Sequence, residues 1–334
     1  MARRCRFVVS LVLGTCSLLF WYDGVANAAE FPERTVEINS GAPPGGTGDL
    51  LARLVAEKLA VKWGQPVVVI NRVGANHRIA AAYVAHEKPD GYNVLVMTSD
   101  LTATPPTGVD VTYDRVTSFT HTALIGSAPN CLAVATTLPV NSVQELLAMA
   151  KAEPDKLNAA VYGNGGVGEV SLTRLFLLTQ TPMPEFLRYT GSKLGMLAML
   201  NGEAHFTVAP CASAMAQVQA GKLKVLAISQ KSDLPVLASV PTFEEASGLK
   251  GYNGPGSNRY GLSVPVGTPK DVVDKIHHDV AEVVAMPSVA EQMNNQFIIP
   301  ATSQDDFADL VKSEVTKWDT WAKENAAGMA AATQ

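Results

Sequence analysis

Apolar positions along the chain fall into short continuous runs that alternate with longer helical stripes. Val36-Glu37-Ile38 reads as a short strand running into Gly41-Ala42-Pro43-Pro44-Gly45-Gly46. From Asp49 to Lys62, residues Leu51, Leu54, Val55 and Leu59 recur on one face, which predicts an amphipathic helix. Val67-Val68-Val69-Ile70 is β-branched throughout, the pattern of a buried parallel strand. Ile79 to Glu87 is Ala-rich and helical, Pro89-Asp90-Gly91 marks a turn, and Val94-Leu95-Val96-Met97 is a further buried strand. This β-α-β-α-β order predicts a parallel sheet covered by helices.

Later helices carry clear start signals. Ser142-x-x-Glu145 is a capping box, and Thr268-Pro269 places a cap before Pro at the first helical position. Val272, Val273, Ile276, Val280, Val283 and Val284 then form one stripe. Ser303-x-x-Asp306 opens a last helix with Phe307, Leu310, Val311, Trp318 and Trp321 facing inward. No internal repeat or flexible linker stands out. The chain is expected to cross between two lobes near Thr122–Thr136 and Leu223–Ser229.

Two glycine-rich junctions stand between a strand and a helix: Pro43-Pro44-Gly45-Gly46-Thr47-Gly48-Asp49 and Tyr162-Gly163-Asn164-Gly165-Gly166-Val167-Gly168. Glycines let the backbone approach a ligand with no Cβ in the way. Each junction aims helix-start N–H groups and the positive dipole end beyond the strand, where α/β sheets bind ligands. Two such jaws across a cleft suit a small anion. Asp49 is expected in the first turn of its helix, accepting from amides.

At the N-terminus, Arg3, Arg4 and Arg6 precede an apolar run from Phe7 to Tyr22, followed by Ala26-Asn27-Ala28. This is the layout of a cleaved secretory signal peptide over residues 1–28. The competing membrane anchor needs roughly 20 apolar residues, more than the run supplies. The 334-residue chain has a net charge of −5; beyond residue 28 it becomes −7. With no basic block, nucleic acid is not an expected partner. Cys131 and Cys211 remain after the signal, 80 residues apart, and the sequence leaves open whether they pair or stay as buried thiols. His277-His278 and the scattered histidines give no metal-ligand spacing, so neither a metal nor a cofactor is expected.

Enzymatic patterns are weak. Gly163-x-Gly165-x-x-Gly168 fits a dinucleotide fingerprint, but the next strand, Phe186-Leu187-Arg188-Tyr189-Thr190, ends without the acid that pattern needs. There is no P-loop Lys, no G-x-S-x-G elbow and no H-E-x-x-H.

Several ordered motifs add to this. They are Pro44-Gly45-Gly46-x-x-Asp49, Pro66-Val67-Val68-Val69-x-Asn71-Arg72-x-Gly74-Ala75 and Pro89-Asp90-Gly91-Tyr92, then Tyr189-x-Gly191-Ser192 and Ala220-Gly221-Lys222-Leu223. Val240-Pro241-Thr242-x-x-Glu245-Ala246 and Gly267-Thr268-Pro269 complete the set. Together they resemble the periplasmic solute receptors of tripartite tricarboxylate transporters, the Bug family, over nearly all of the chain beyond the signal. The resemblance implies an α/β fold: a two-lobed, type II-like periplasmic binding protein. Each lobe is a mixed, mostly parallel sheet flanked by helices, with the ligand in the interlobe cleft. Lobe 1 would be discontinuous, 29–126 and 230–334, and lobe 2 would be 127–229. It also implies a monomeric, non-catalytic receptor that delivers a small carboxylate to a membrane permease. The alternatives are a sensor receptor signalling to a membrane kinase and, more remotely, a cleft enzyme or nucleotide-binding protein.

Carried over by position, the first jaw is Pro44, Gly45, Gly46, Thr47 and Asp49, and the second is Asn164, Gly165, Gly166 and Gly168, with Ser192 as a further candidate. The departures bear on the ligand. Ala42 stands where family members often carry an aromatic residue, and Ala209 where many carry an Asp that suits an ammonium group, so its absence argues against an amino acid. Those changes predict a larger, more neutral pocket. Arg78 and Arg259 are extra cations suited to a second carboxylate, which favours a dicarboxylate, bulky or aromatic. Glu169, at the start of the second jaw's helix, is expected to turn to solvent and cap the helix.

Overall fold

The protein is described by a computed structural model over residues 31–102, 111–162, 165–231, 236–254, 256–302 and 306–324. Pro32–Gln334 forms one compact unit, and Met1–Phe31 is a separate one of which Phe31 alone is described. The signal segment at 1–28, Asn164 and Ser303 lie outside the described residues.

The chain begins with β1 (Val36–Ser40), α1 (Thr47–Trp63), β2 (Val67–Asn71), α2 (Arg78–Ala85), β3 (Asn93–Thr98), the single turn α3 (Ser99–Thr102) and β4 (Phe119–Ala128). Next come β5 (Asn130–Ala135), α4 (Val143–Ala152), β6 (Asn158–Tyr162), α5 (Val167–Leu178), β7 (Glu185–Tyr189) and α6 (Ser192–Asn201). β8 (Phe206–Pro210), α7 (Cys211–Gln219), β9 (Leu223–Ile228) and α8 (Phe243–Ser247) follow. The chain ends with β10 (Asn258–Pro265), α9 (Lys270–Ala285), α10 (Pro287–Asn295), β11 (Ile299–Pro300) and α11 (Phe307–Glu324).

Among the described residues the strands form two sheets, ordered β11-β4-β10-β3-β1-β2 and β7-β6-β8-β5-β9. β1 runs parallel to β2 and β3, with Val36 opposite Val67. In the second sheet β6 runs parallel to β7 and β8. The other ladders are antiparallel: β10 with β3 and β4, β11 with β4, and β5 with β8 and β9. Each sheet is therefore mixed, with its parallel part made by β-α-β crossovers and its antiparallel part where the chain changes sheets. That change is abrupt between β4 and β5, where Pro129 alone separates them. β2 occupies a sheet edge and is only partly buried, unlike the buried strand its apolar run predicts. Position in a sheet is a topological fact that a local run does not encode.

Helix starts follow the capping signals. The Ser142 hydroxyl accepts from Glu145 N ahead of α4, and Thr242 and Glu245 form a full capping box on α8. α1 ends at Gly64, whose φ of 65° closes the helix with its amide on Ala60 O.

One core packs Leu146, Phe176 and Phe206 against the second sheet, and Phe243, Ala246 and Tyr252 join it. Tyr252 also donates its hydroxyl to Ser171 O at 2.9 Å. The stretch around Phe243–Tyr252 thus packs on the second sheet, although the sequence places 230–334 with the first lobe. α11 spans both sides. Phe307, Val311 and Val315 pack with Leu95 and Met97 of β3, while Trp318 and Trp321 pack on Val167 and Val170 of α5. Cys131 and Cys211 pair as a disulfide between β5 and the start of α7, with Cα atoms 5.0 Å apart. Closing a loop of this length stabilises the fold by about 4 kcal/mol in the chain-entropy picture.

Candidate ligand-binding site

The β1–α1 junction is held by an acid. Gly45, at φ 80°, donates its amide to Asp49 Oδ2 at 2.9 Å. Asn71 Nδ2 donates to Asp49 Oδ1 at 2.7 Å, and Arg53 pairs with the same carboxylate at 2.9 Å. Asp49 is 2% exposed. Burial raises its carboxyl, but the bonds from Arg53, Gly45 and Asn71 outweigh this and hold it below the usual carboxylate range. Gly46 N is taken by Pro43 O at 2.9 Å. Thr47 and Gly48, in the first turn of α1, line the cavity, and amides at this position have no acceptor within the helix.

The β6–α5 junction repeats this plan. Gly165, at φ 71°, donates its amide to Glu169 Oε2 at 2.9 Å. Arg188, from β7, pairs with Glu169 Oε1 at 2.7 Å. Both helices are N-capped by extended glycines, Gly46 (φ −72°, ψ 159°) and Gly166 (φ −69°, ψ 165°). The shared pattern is G-G-x-G-[D/E], at Gly45–Asp49 and Gly165–Glu169. Glu169 is buried and folded back onto its own loop, not turned to solvent as its helix-start position suggested. Here, however, a second acid intervenes. Asp100, just beyond β3, accepts from Val167 N at 3.1 Å through its Oδ1.

Between the two junctions lies a cavity of ≈ 470 Å³. The starts of four helices border it: Thr47 of α1, Val167 of α5, Ser192 of α6 and Ser213 of α7. Their dipoles give it a positive local field. A further part of the wall comes from the β2–α2 loop. Ala75, Asn76 and His77 are all left-handed, at φ 45°, 51° and 69°, a conformation that costs on the order of 1–3 kcal/mol for each. The loop presses on Gly41, where a Cβ would lie 2.5 Å from His77 Cα. His77 Nε2 sits 3.7 Å from Asp100 Oδ2. Burial holds the imidazole below its usual range, with the Asp100 charge opposing. Tyr260 closes the base, bonded to the Thr47 side chain; burial, then the Asp100 charge, pushes its phenol up.

A family model described as the tripartite tricarboxylate transporter family receptor, TctC, matches residues 51–326. The chain belongs to this family. BugT of Bordetella pertussis is 25% identical over 304 residues, covering 90% of this chain and 92% of that one. The solved structure of R. palustris Rpa4515 with adipate is 30% identical with a TM-score of 0.80, covering 88% of this chain and 97% of that chain. MatC from Rhodopseudomonas palustris with bound malate is 27% identical with a TM-score of 0.77, covering 87% and 99%.

Within this TctC receptor, Gly46, Thr47, Gly168, Ser192 and Ala209 line the cavity. Pro44 and Gly45 are exposed on its outer side, and Asp49, Gly165 and Gly166 shape the loops without lining it. Two expectations need correction. Arg78 is buried at the start of α2, donating to Ala75 O at 3.2 Å, and does not line the cavity. Arg259 forms an ion pair with Glu314 of α11 and does not line it either. Nor is the pocket neutral, since the Asp100 side chain forms part of its wall. Arg188, Asn76, His77, Asn130 and Asn258 also line it and were not identified from the sequence. The signal available was Arg188 near the end of a strand parallel to β6, just before Tyr189-x-Gly191-Ser192. Asp100, likewise, directly follows a parallel strand.

Proposed function

We propose that this receptor captures a small carboxylate-bearing solute in the cavity between its two sheets. It works in the periplasm, exported by the segment at 1–28, and hands its ligand to a tripartite tricarboxylate-type permease. The observation that carries this is the convergence of four helix starts on one cavity, a field suited to an anion. Relatives solved with adipate and with malate support the same ligand class. The carboxylate docks on the Thr47 and Gly48 amides, with the Ser192 helix start facing it. The two Gly-rich loops form the jaws, and each loop is made rigid by its own acid and arginine. A second carboxylate held by Arg78 and Arg259 is not retained, because neither guanidinium reaches the cavity.

The receptor acts as a monomer of two lobes and does not turn its ligand over. Titration calorimetry with mono- and dicarboxylates tests the reading: saturable 1:1 binding of at least one carboxylate supports it, and silence across the panel overturns it. Mass analysis of the ligand after prolonged incubation should return it unchanged.

A further inference from the structure

We infer that Asp100 makes this cavity select a monocarboxylate whose other pole donates hydrogen bonds, as in an amino or hydroxy acid, over a dicarboxylate. The inference rests on the carboxylate reading given above.

Three observations carry it. First, the α5 helix start, where the second carboxylate of a dicarboxylate would dock, already holds one: Asp100 Oδ1 accepts from Val167 N at 3.1 Å. Asp100 approaches from the first sheet's side, and a Cβ placed on Gly166 would lie 3.5 Å from that oxygen. An incoming second carboxylate would meet a fixed negative charge in a partly desolvated space, where like charges repel strongly.

Second, the wall near Asp100 holds a buried acceptor that lacks a donor. Asn258 is 3% exposed and lines the cavity, and its Oδ1 has no hydrogen-bond partner among the described residues. A buried acceptor without a donor is costly unless a ligand supplies one. His77 Nδ1 is likewise buried and unpartnered. Asn258 and Asp100 are neighbours, because the next residue, Arg259, donates its amide to Ser99 Oγ at 2.9 Å.

Third, the cavity offers little positive charge to offset a dianion. Arg188 is the guanidinium in its lining, and it is paired with Glu169 at 2.7 Å. Burial holds His77 below its usual range, so it adds no cation at neutral pH. The helix-start amides of α1 serve one carboxylate, and the ligand's far end lies against the wall that holds Asp100, Asn258 and His77.

The test is titration calorimetry on the purified receptor, wild type, Asp100→Asn and Asp100→Ser. The probes are dicarboxylates, ω-amino acids, ω-hydroxy acids and plain monocarboxylates of three to six carbons. Melting curves identify whether each variant is folded; the Ser variant serves if the Asn variant is not. The wild type should bind its best donor-bearing monocarboxylate at least 10-fold tighter than the dicarboxylate of equal length. The Asp100 variant should shift that ratio at least 10-fold toward the dicarboxylate. The ammonium and hydroxyl series distinguish a charged donor from a neutral one. A wild type that binds the dicarboxylate equally or more tightly, or a ratio unmoved by the variants, overturns the inference and leaves the carboxylate reading intact. Binding of no carboxylate by any of the proteins removes that reading itself.

Discussion

In both strand-to-helix junctions a left-handed glycine is tied by its amide to an acid four residues on, Gly45 to Asp49 and Gly165 to Glu169. Each acid is neutralised by an arginine. At the first junction that arginine, Arg53, comes from the same helix, and its other contact is Asn71 on β2. At the second it is Arg188, which stands in the cavity wall. The helix starts differ too: Thr47 and Gly48 of α1 line the cavity with no acid bonded to their amides among the described hydrogen bonds, while the α5 amide at Val167 is covered by Asp100. A loop can thus be kept rigid in the same way and still be used differently. Rigidity comes from the acid four residues on; availability depends on what the opposite sheet brings against the helix end.

The two halves should also respond differently to stress. His121, on β4 in the first sheet, is packed against Phe307 with Nδ1 on Ser263 Oγ, and burial lowers its pKa from 6.5 to about 4. The unfolded chain therefore binds a proton that the folded one refuses. Stability should fall as pH drops from about 6.5 to 4, by about 3 kcal/mol from this residue. Burial acts on His77 in the same direction. Denaturant melts of wild type and His121→Gln across that range check it; parallel curves would remove His121 as the weak point of the first half.

A smaller effect separates the last glycine of each junction. A Cβ on Gly168 would lie 2.3 Å from Val208 O, a backbone clash, whereas one on Gly48 meets nothing closer than 3.5 Å. Gly168→Ala should cost about 1–3 kcal/mol, and Gly48→Ala close to nothing. Equal losses in thermal melts would erase this distinction. Gly166 is no cleaner a probe, since its Cβ would lie 2.6 Å from Tyr162 O.

Smallest is the effect of the two acids on the cavity. Glu169→Gln releases Arg188 into the wall and should raise affinity for a carboxylate several-fold. Asp49→Asn releases Arg53, which does not line the cavity, and should bring no gain. Calorimetry that finds the same change in both variants would mean that Arg188 does not reach the ligand.

Most of the elements are legible in the sequence because β-branched runs and helical stripes are local signals. The stripe from Val272 to Val284 and the capping box of α4 show this. The junctions were also legible as helix starts beside a cleft, and their G-G-x-G-[D/E] repeat is plainly present once the acids are read with the glycines. What was not legible depends on distant pairs. Asp100, Asn130 and Asn258 meet at the cavity through the sheet order β4-β10-β3 and the crossing at Pro129. Arg259 reads in the sequence as an extra cation for the cavity, yet Glu314 claims it from a helix near the end of the chain. The burial of Arg78 and the edge position of β2 fail to show in the sequence for the same reason: neighbours set them, not local pattern.

The account's central claim is that a ligand carboxylate docks at the α1 helix start while Asp100 keeps the α5 start covered. Backbone amide NMR on the labelled receptor, titrated to saturation with the carboxylate that binds best, tests this directly. The account predicts large shifts at Thr47 and Gly48 and little change at Val167. Large shifts at Val167 with Thr47 and Gly48 unmoved would contradict it.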